Sequence, residues 1–175
     1  MKKIVLAYAQ KLVIGLIFAQ DDLVSDVKKD LIAKFGMADF ESDDLVFNYT
    51  DYYADEFGNN LKRKFISFKN LINPQRLKDI KRWTIKLEQR YSKNKKRRVN
   101  IDPGYLTLWN FVLSTTKDYY HRIYLGKGIF GEVTLCFQNQ SFREFEWTYP
   151  DYKSKAYIEI FNKIRGILSV QLKEK

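Results

Sequence analysis

The sequence contains one cysteine, one histidine and three prolines among its 175 residues. A single cysteine excludes a disulfide framework and a zinc site built from several thiolates. With only eight glycines besides the three prolines, the chain has little room for a linker or a low-complexity segment. We therefore expect residues 1–175 to form a single α+β domain, long enough to bury one core.

The chain also lacks an apolar run long enough to cross a membrane. Its main apolar stretch covers residues 12–19, which indicates a buried strand, because a membrane-spanning helix needs about 20 apolar residues. Residues 2–9 imitate a secretory signal, but their apolar part is too short, and Lys11 separates it from the next apolar residues. We expect a cytoplasmic protein with no membrane partner.

Acidic residues are in the minority, with 21 Asp and Glu against 31 Lys and Arg, which gives a net charge of +10. Such a field attracts polyanions and anionic metabolites, including nucleic acids. The alternative is a lysine-rich surface that only keeps the protein soluble. The densest basic run, at residues 93–98, comes after a predicted helix and is interpreted as a solvated loop.

Hydrophobic periodicity predicts the order strand, helix, strand, strand, helix, strand over residues 12–102. This is the ferredoxin-like βαββαβ plan, an antiparallel sheet with two helices on one face. A hairpin around Gly126-Lys127-Gly128 and a helix over residues 157–168 extend this α+β core, while residues 106–116 fit either a helix or a strand. The four strands are expected at residues 12–19, 44–50, 61–68 and 97–102, and the two helices after Asp21 and Asn73.

The residue types that carry chemistry concentrate between residues 99 and 133. Asp102-Pro103-Gly104 predicts a tight turn at the end of the fourth strand. The Asp102 carboxylate at that strand end could instead act as a base or a metal ligand, with Tyr105 beside it.

The only histidine lies in the same region. His121, Arg122 and Lys117 place three cationic groups within six residues, which suits an anionic ligand. A regular strand would send His121 and Arg122 to opposite faces. The spacing of Asp102, His121 and Glu132 is not diagnostic of a metal site, and no motif indicates a cofactor or a number of subunits.

These observations define a candidate site. We take Asp102, His121 and Glu132 as candidate catalytic residues, and we expect Asp102, Tyr105, Lys117, His121 and Glu132 to line one cavity. The candidate ligand-binding residues are Tyr105, Lys117, Arg122, Lys127, Trp147 and Tyr149.

Residues 126–133 match the pattern G-x-G-x-x-G-x-V of the kinase glycine-rich loop. No lysine is found on the next strand, no H-R-D or D-F-G motif is present, and the chain is too short for a kinase. The dinucleotide-binding fingerprint also fails, because no helix is predicted after these glycines. A hairpin turn that requires positive φ explains them.

Five motifs are distributed along the chain: Tyr52-Tyr53 with Glu56 and Gly58, NIDPGY at residues 100–105, Thr116-Lys117, HRIYLGKG at residues 121–128 and WTYPDY at residues 147–152. With these motifs the chain resembles a bacterial and archaeal family of unknown function whose chains have about this length. The likeness covers nearly the whole chain from Lys11 onward, with Phe57 standing where relatives are expected to have methionine. The resemblance implies no established activity. Some relatives carry a GTP-binding label, which this sequence does not support, since it lacks G-x-x-x-x-G-K-[ST] and N-K-x-D.

Three functions from different classes are open on these grounds. The favoured one is binding of, or chemistry on, a small phosphorylated or carboxylated ligand at residues 102–132. The first alternative is an RNA-binding module of the RRM type, with Phe65 and Phe68 as stacking residues, although Val13 stands where that motif has an aromatic residue. The second alternative is a scaffold without chemistry. For RNA we predict only weak binding that is lost near physiological salt.

Overall fold

The computed structural model describes residues 9–50, 52–58 and 60–174. These residues form an α+β fold in which a nine-stranded sheet has helices on both faces. The strands are β1 Gln10–Phe18, β2 Ala38–Glu41, β3 Leu45–Val46, β4 Lys62–Ile72, β5 Val99–Leu106, β6 Asn110–Thr115, β7 Ile123–Gly126, β8 Ile129–Gln138 and β9 Ser141–Glu144. The helices are α1 Asp21–Phe35, α2 Ala54–Phe57, α3 Leu77–Arg90 and α4 Lys155–Lys173.

The sheet is antiparallel at every strand pair and has the order β2-β4-β1-β5-β6-β8-β7. The short strands β3 and β9 pair with β4 and β8. Strand β1 lies between β4 and β5, so that Gly15 is opposite Phe65 on one side and Asp102 on the other. The expected four-stranded sheet is therefore part of a larger one, which the C-terminal strands continue through β6.

Both faces of β1 are buried, which explains its unbroken apolar sequence. Leu12, Ile14 and their even-numbered neighbours pack with side chains of α1 and α3 in one cluster. Val13 lies on the opposite face, where Phe65 and the buried side of α4 form a second cluster. The helices thus sandwich the sheet, and α4 covers the face that α1 and α3 leave open.

The three long helices confirm the predictions from their apolar stripes. Helix α1 ends before Gly36, whose φ of 92° suits a residue without a side chain. A 3-10 turn at Pro74–Arg76 leads into α3, and the Asn73 side chain accepts a hydrogen bond from the Gln75 N–H at 2.9 Å. None of the helices in the described ranges has the length and apolar character to span a membrane.

The predicted second strand at residues 44–50 is wrong in its position. The chain enters the sheet earlier, at Ala38, and returns only briefly at Leu45–Val46. Phe47 is buried with Ile17 and Leu61 in a small third cluster. The apolar signal at this position reflects burial outside a regular strand.

The turn predicted at Asp102-Pro103-Gly104 is also wrong, because β5 runs straight through these residues. Gly104 is required by a close approach: a Cβ there would lie 2.5 Å from the ring of Phe111 on β6. Pro103 is tolerated because it stands where β5 and β6 part, so its missing N–H leaves no ladder bond unmade. The chain turns after β5, where the Thr107 N–H donates to the Asn110 carbonyl at 2.9 Å.

The predicted C-terminal hairpin is confirmed by strands β7 and β8. Lys127 and Gly128 form its two-residue turn, with φ of 57° and 75°, as a type I′ turn requires. His121 and Arg122 precede β7 in a turn that the Arg122 N–H closes onto the Tyr119 carbonyl at 3.0 Å. Because His121 and Arg122 do not lie in a strand, alternation of side chains does not send them to opposite faces of the sheet.

Candidate ligand-binding site

A cavity of about 540 Å³ opens where β5 and β6 separate. The two strands pair from Gly104 to Leu106 and then part, so that Asp102 lines one side of the gap and Thr115 the other. At the fork, the Ser114 hydroxyl donates to the Pro103 carbonyl at 2.6 Å. The volume lies within the range of about 300–1,000 Å³ that is typical of small-molecule sites.

Helix α3 replaces β6 along the open edge of β5. The Ile101 N–H donates to Oε1 of Glu88 at 2.6 Å, and the Ile101 carbonyl accepts from Nζ of Lys81 at 3.0 Å. Buried backbone groups need such partners. Lys81 and Glu88 thereby stabilise a strand edge that has lost its neighbour, and both side chains line the cavity.

Arg63 on β4 is the most deeply buried cation of the cavity, with 3% of its surface exposed. Its Nη2 donates to Oδ2 of Asp151 at 2.9 Å, and its Nη1 lies 3.6 Å from Oδ2 of Asp102. Its Nε and Nη1 make no hydrogen bond within the described part of the chain. Both atoms are donors only, so the guanidinium offers two nitrogen donors without an acceptor.

Asp102 lies at the centre of this network. Its Oδ1 accepts from Nζ of Lys81 at 3.2 Å, and its Oδ2 accepts from Nδ2 of Asn100 at 2.5 Å. Together with the nearby Arg63 guanidinium, these donors hold the carboxylate in one orientation. Asp102 is thus a fixed negative group between two cations.

Arg97 closes the network on the side of α2. Its Nε and Nη2 each donate to a carboxylate oxygen of Glu56 at 2.8 Å, a bidentate pair. Its Nη1 donates to Oδ1 of Asn100 at 3.2 Å and lies 3.7 Å from Oε2 of Glu88. Burial raises the pKa of Glu88 to about 7, against the opposing effects of Lys81 and the Ile101 N–H.

Tyrosines surround the mouth of the cavity. Tyr49, Tyr52 and Tyr149 line it and remain 40%, 58% and 39% exposed. Lys117 Nζ lies 4.4 Å from the centre of the Tyr52 ring, a cation–π contact. Further inside, burial raises the pKa of Tyr152 well above its ordinary value, so its hydroxyl stays protonated.

A second polar cluster, the Glu132 cluster, consists of Glu132, His121, Arg122 and Trp147. Oε2 of Glu132 lies 2.7 Å from Nε2 of His121 and accepts from Nε of Arg122 at 3.0 Å. The His121 ring stacks on Trp147 with 5.2 Å between centroids and 13° between planes. Glu132 is only 1% exposed, so this carboxylate depends on its partners for stability.

Arg122 connects the Glu132 cluster to the cavity. Its Nη2 donates to the Tyr149 hydroxyl at 2.8 Å, and its Nη1 donates to the Lys117 carbonyl at 2.9 Å. Tyr149 and Lys117 belong to different segments, and both line the cavity. A single guanidinium therefore joins two sides of the mouth.

A family model described as "Domain of unknown function (DUF4416)" matches residues 8–167. The chain belongs to this family. The resemblance to an uncharacterised family is thereby confirmed, and every residue that lines the cavity lies within the part that DUF4416 matches. The comparison with curated proteins found no match. No solved structure matched either.

The candidate site residues of this DUF4416 chain, including the five expected to share one cavity, are distributed over four places. Asp102, Lys117 and Tyr149 line the cavity, while His121, Arg122, Glu132 and Trp147 form the neighbouring cluster. Tyr105 packs with the α1 and α3 core, and Lys127 pairs with Asp79 at 2.7 Å. The expectation of one cavity is corrected because side chains alternate along β5, which sends Asp102 and Tyr105 to opposite faces.

Sequence reasoning missed Arg63, Lys81, Glu88 and Asp151. Lys81 and Glu88 are seven residues apart and adjoin Ile80 and Leu87 on the buried face of α3. Two charged residues on an apolar helix face were a usable signal, because such groups need buried partners. Asp151 lies in the WTYPDY motif, but nothing local connects it with Arg63.

The structure also bears on two other hypotheses from the sequence, a metal site and an RRM-type RNA-binding surface. Among the residues described, no three His, Cys, Asp or Glu side chains lie close enough to hold a metal ion. Phe65 and Phe68, the stacking residues of the RRM hypothesis, are fully buried, Phe65 against α4 and Phe68 in the α1 core. An RRM stacks bases on an open sheet face, and here those two rings face helices instead.

Proposed function

We propose that this protein binds a small oxyanion-bearing ligand, phosphorylated or carboxylated, in the cavity between β5 and β6. The observation that carries the proposal is the pair of unpartnered donors on Arg63. A buried donor without an acceptor costs about 1–3 kcal/mol. Carboxylate or phosphate oxygens would supply acceptors for charge-assisted hydrogen bonds from this guanidinium.

The charges that line the cavity support an anionic ligand. Among the residues that the structure describes, four cations, Arg63, Lys81, Arg97 and Lys117, face three acids, Glu88, Asp102 and Asp151. Arg63, Lys81 and Arg97 have acidic partners. Lys117 has no ion-pair partner among the residues that the structure describes, so its charge at the mouth is available to a ligand.

The proposal assigns different roles to the candidate residues. Arg63 and Lys117 bind the oxyanion, and Tyr149 forms part of the wall. Asp102 is the candidate for proton transfer, supported by its position in the cavity. His121 and Glu132 act on the ligand indirectly, through Arg122.

The fold that presents this site is part of the proposal. The order β2-β4-β1-β5, with α1 and α3 on one face, supports a ferredoxin-like plan for residues 10–106. In this description β6–β9 and α4 are additions. The cavity then lies at the junction between the core and its extension.

The test is a titration of the protein with inorganic phosphate, sulfate and acetate, monitored by calorimetry and amide chemical shifts. Lys117→Met should weaken phosphate binding about threefold to tenfold, which corresponds to roughly 1 kcal/mol. The control is Lys155→Met, since Lys155 is exposed on α4 and does not line the cavity. Absence of saturable binding, or equal loss in both variants, would contradict the proposal.

A further inference from the structure

The cavity changes in character between its inner end and its mouth. Arg63, Asp151 and Tyr152 form a buried polar end, with the Tyr152 hydroxyl as another group lacking a partner within the described residues. Tyr49 and Tyr52 at the mouth are exposed large hydrophobic side chains. One ligand that satisfied both ends would carry an acceptor group on one side and apolar surface on the other.

The volume argues that an oxyanion alone does not fill this site. The cavity measures about 540 Å³, whereas one water molecule takes about 30 Å³ in the liquid. A free phosphate or acetate at Arg63 would leave the tyrosines at the mouth in contact with solvent. The remainder of the ligand is therefore expected to lie between Arg63 and those rings.

The rings at the mouth are held by other aromatic side chains. Tyr52 meets Tyr53 edge to face at 4.9 Å, and Tyr49 lies 5.8 Å from Phe47. Tyr53 in turn stacks on Phe57 at 5.2 Å. A wall of mutually packed rings is a preorganised surface for another ring, since aromatic pairs gain more than their buried area alone provides.

We infer that the ligand is an aromatic oxyanion, a flat aromatic or heteroaromatic ring that carries a carboxylate or a phosphate. This inference rests on the proposed function and adds the ring. The oxyanion accepts from Arg63 at one of its two unpartnered nitrogens, and the ring lies against the tyrosine wall near Tyr52. Lys117, whose Nζ lies 4.4 Å from the centre of the Tyr52 ring, adds positive charge at the mouth.

The experiment compares carboxylates that differ only in the attached group: acetate, cyclohexanecarboxylate and benzoate. Calorimetry on the full chain should give benzoate at least about fivefold higher affinity than cyclohexanecarboxylate, although the saturated ring is the more hydrophobic. Ring-current shifts of the Tyr52 resonances should appear with benzoate only. Phenyl phosphate and inorganic phosphate repeat the comparison for the other oxyanion.

A pair of variants locates the ring. Tyr52→Leu should remove the preference for benzoate over cyclohexanecarboxylate. Tyr120→Leu is the control, because Tyr120 is also an exposed tyrosine but does not line the cavity. Equal affinity for benzoate and cyclohexanecarboxylate would overturn the aromatic inference and leave the proposed function standing. Failure of every carboxylate and phosphate to bind would overturn both.

Discussion

Gly15 lies directly beneath the guanidinium of Arg63. A Cβ at position 15 would stand 2.8 Å from Nη1 of Arg63 and 3.2 Å from the ring of Phe65. Gly15 is on β1 and pairs with Asp102 on β5. Because Gly15 has no side chain, Arg63 can reach across β1 from β4 towards Asp102.

Gly15→Ala should therefore displace Arg63 from the cavity. We expect a melting temperature lower by several degrees and phosphate affinity at least about tenfold weaker, because a buried ion pair is disturbed. The control is Gly166→Ala in α4, where a Cβ would meet open space and should stabilise the helix by about 0.5–1 kcal/mol. Wild-type phosphate affinity in Gly15→Ala would contradict this account.

Removal of Arg63 should destabilise the protein, because it leaves the buried carboxylate of Asp151 without its cationic partner. Arg63→Met leaves Asp151, which is 4% exposed, without its 2.9 Å contact, and we expect a loss of about 3–5 kcal/mol in urea unfolding. Arg63→Met combined with Asp151→Asn should recover a large part of that loss. If the double variant is no more stable than the single one, the two residues are not coupled as the structure indicates.

The stability of the protein should depend on the ionisation of Glu88. Its folded-state pKa of about 7 lies above the ordinary value of 4.5, chiefly because of burial. The folded state therefore holds this proton more tightly, and the resulting stability is complete below pH 4.5 and is lost as the pH rises to about 7. At about 1.4 kcal/mol per pH unit, the loss is at most about 3–4 kcal/mol.

Glu88→Gln tests this prediction. The amide oxygen can still accept from the Ile101 N–H, but it carries no charge. Urea unfolding between about pH 5 and 8 should show a smaller decline in stability for Glu88→Gln than for the wild type. Identical slopes would show that Glu88 remains ionised at the lower pH.

Glu132→Gln should destabilise the protein and weaken anion binding together. An amide oxygen can still accept from His121 and Arg122, which share Oε2 of Glu132, but it carries no charge. The Arg122 guanidinium would lose its buried counter-charge, at a cost of about 1–3 kcal/mol. Arg122 would then hold Lys117 and Tyr149 less firmly. Glu144→Gln, at an exposed position on β9, is the control. An unchanged melting temperature in Glu132→Gln would argue against a structural role.

RNA binding should be weak and sensitive to salt. The net charge of +10 predicts some association at low salt, but counterion release makes such binding fall steeply with salt. Filter binding of a single-stranded RNA should show no complex near physiological salt. A tight complex there would revive the nucleic-acid hypothesis despite the burial of Phe65 and Phe68.

The helices could be predicted from the sequence because their signals are local. Leu77, Ile80 and Leu87 repeat at helical spacing whatever surrounds them, and α3 has that stripe on its buried face. The course of β5 could not be predicted, since local turn chemistry at residues 102–104 was outweighed by pairing with β1 along the whole strand. Pairing with a strand that is distant in the sequence cannot be predicted from a window of a few residues.

The cavity was only partly predictable for the same reason. Asp102 stood out because of its place at a predicted strand end, and Lys117 because it lies near His121 and Arg122 in the sequence. Arg63 and Asp151 are 88 residues apart, and only the order of the strands brings them together. The sequence therefore indicated the polar region around residues 102–132 but not the cation at its centre.

Pro103 has a consequence for the cost of binding. Further pairing of β6 with β5 would require a backbone N–H at Pro103, which a proline lacks. It would also require β6 to displace Lys81 and Glu88 from their hydrogen bonds to Ile101. Pro103 therefore keeps β5 and β6 apart before any ligand binds. A ligand that enters an opening of this kind spends little of its interaction free energy on ordering the protein.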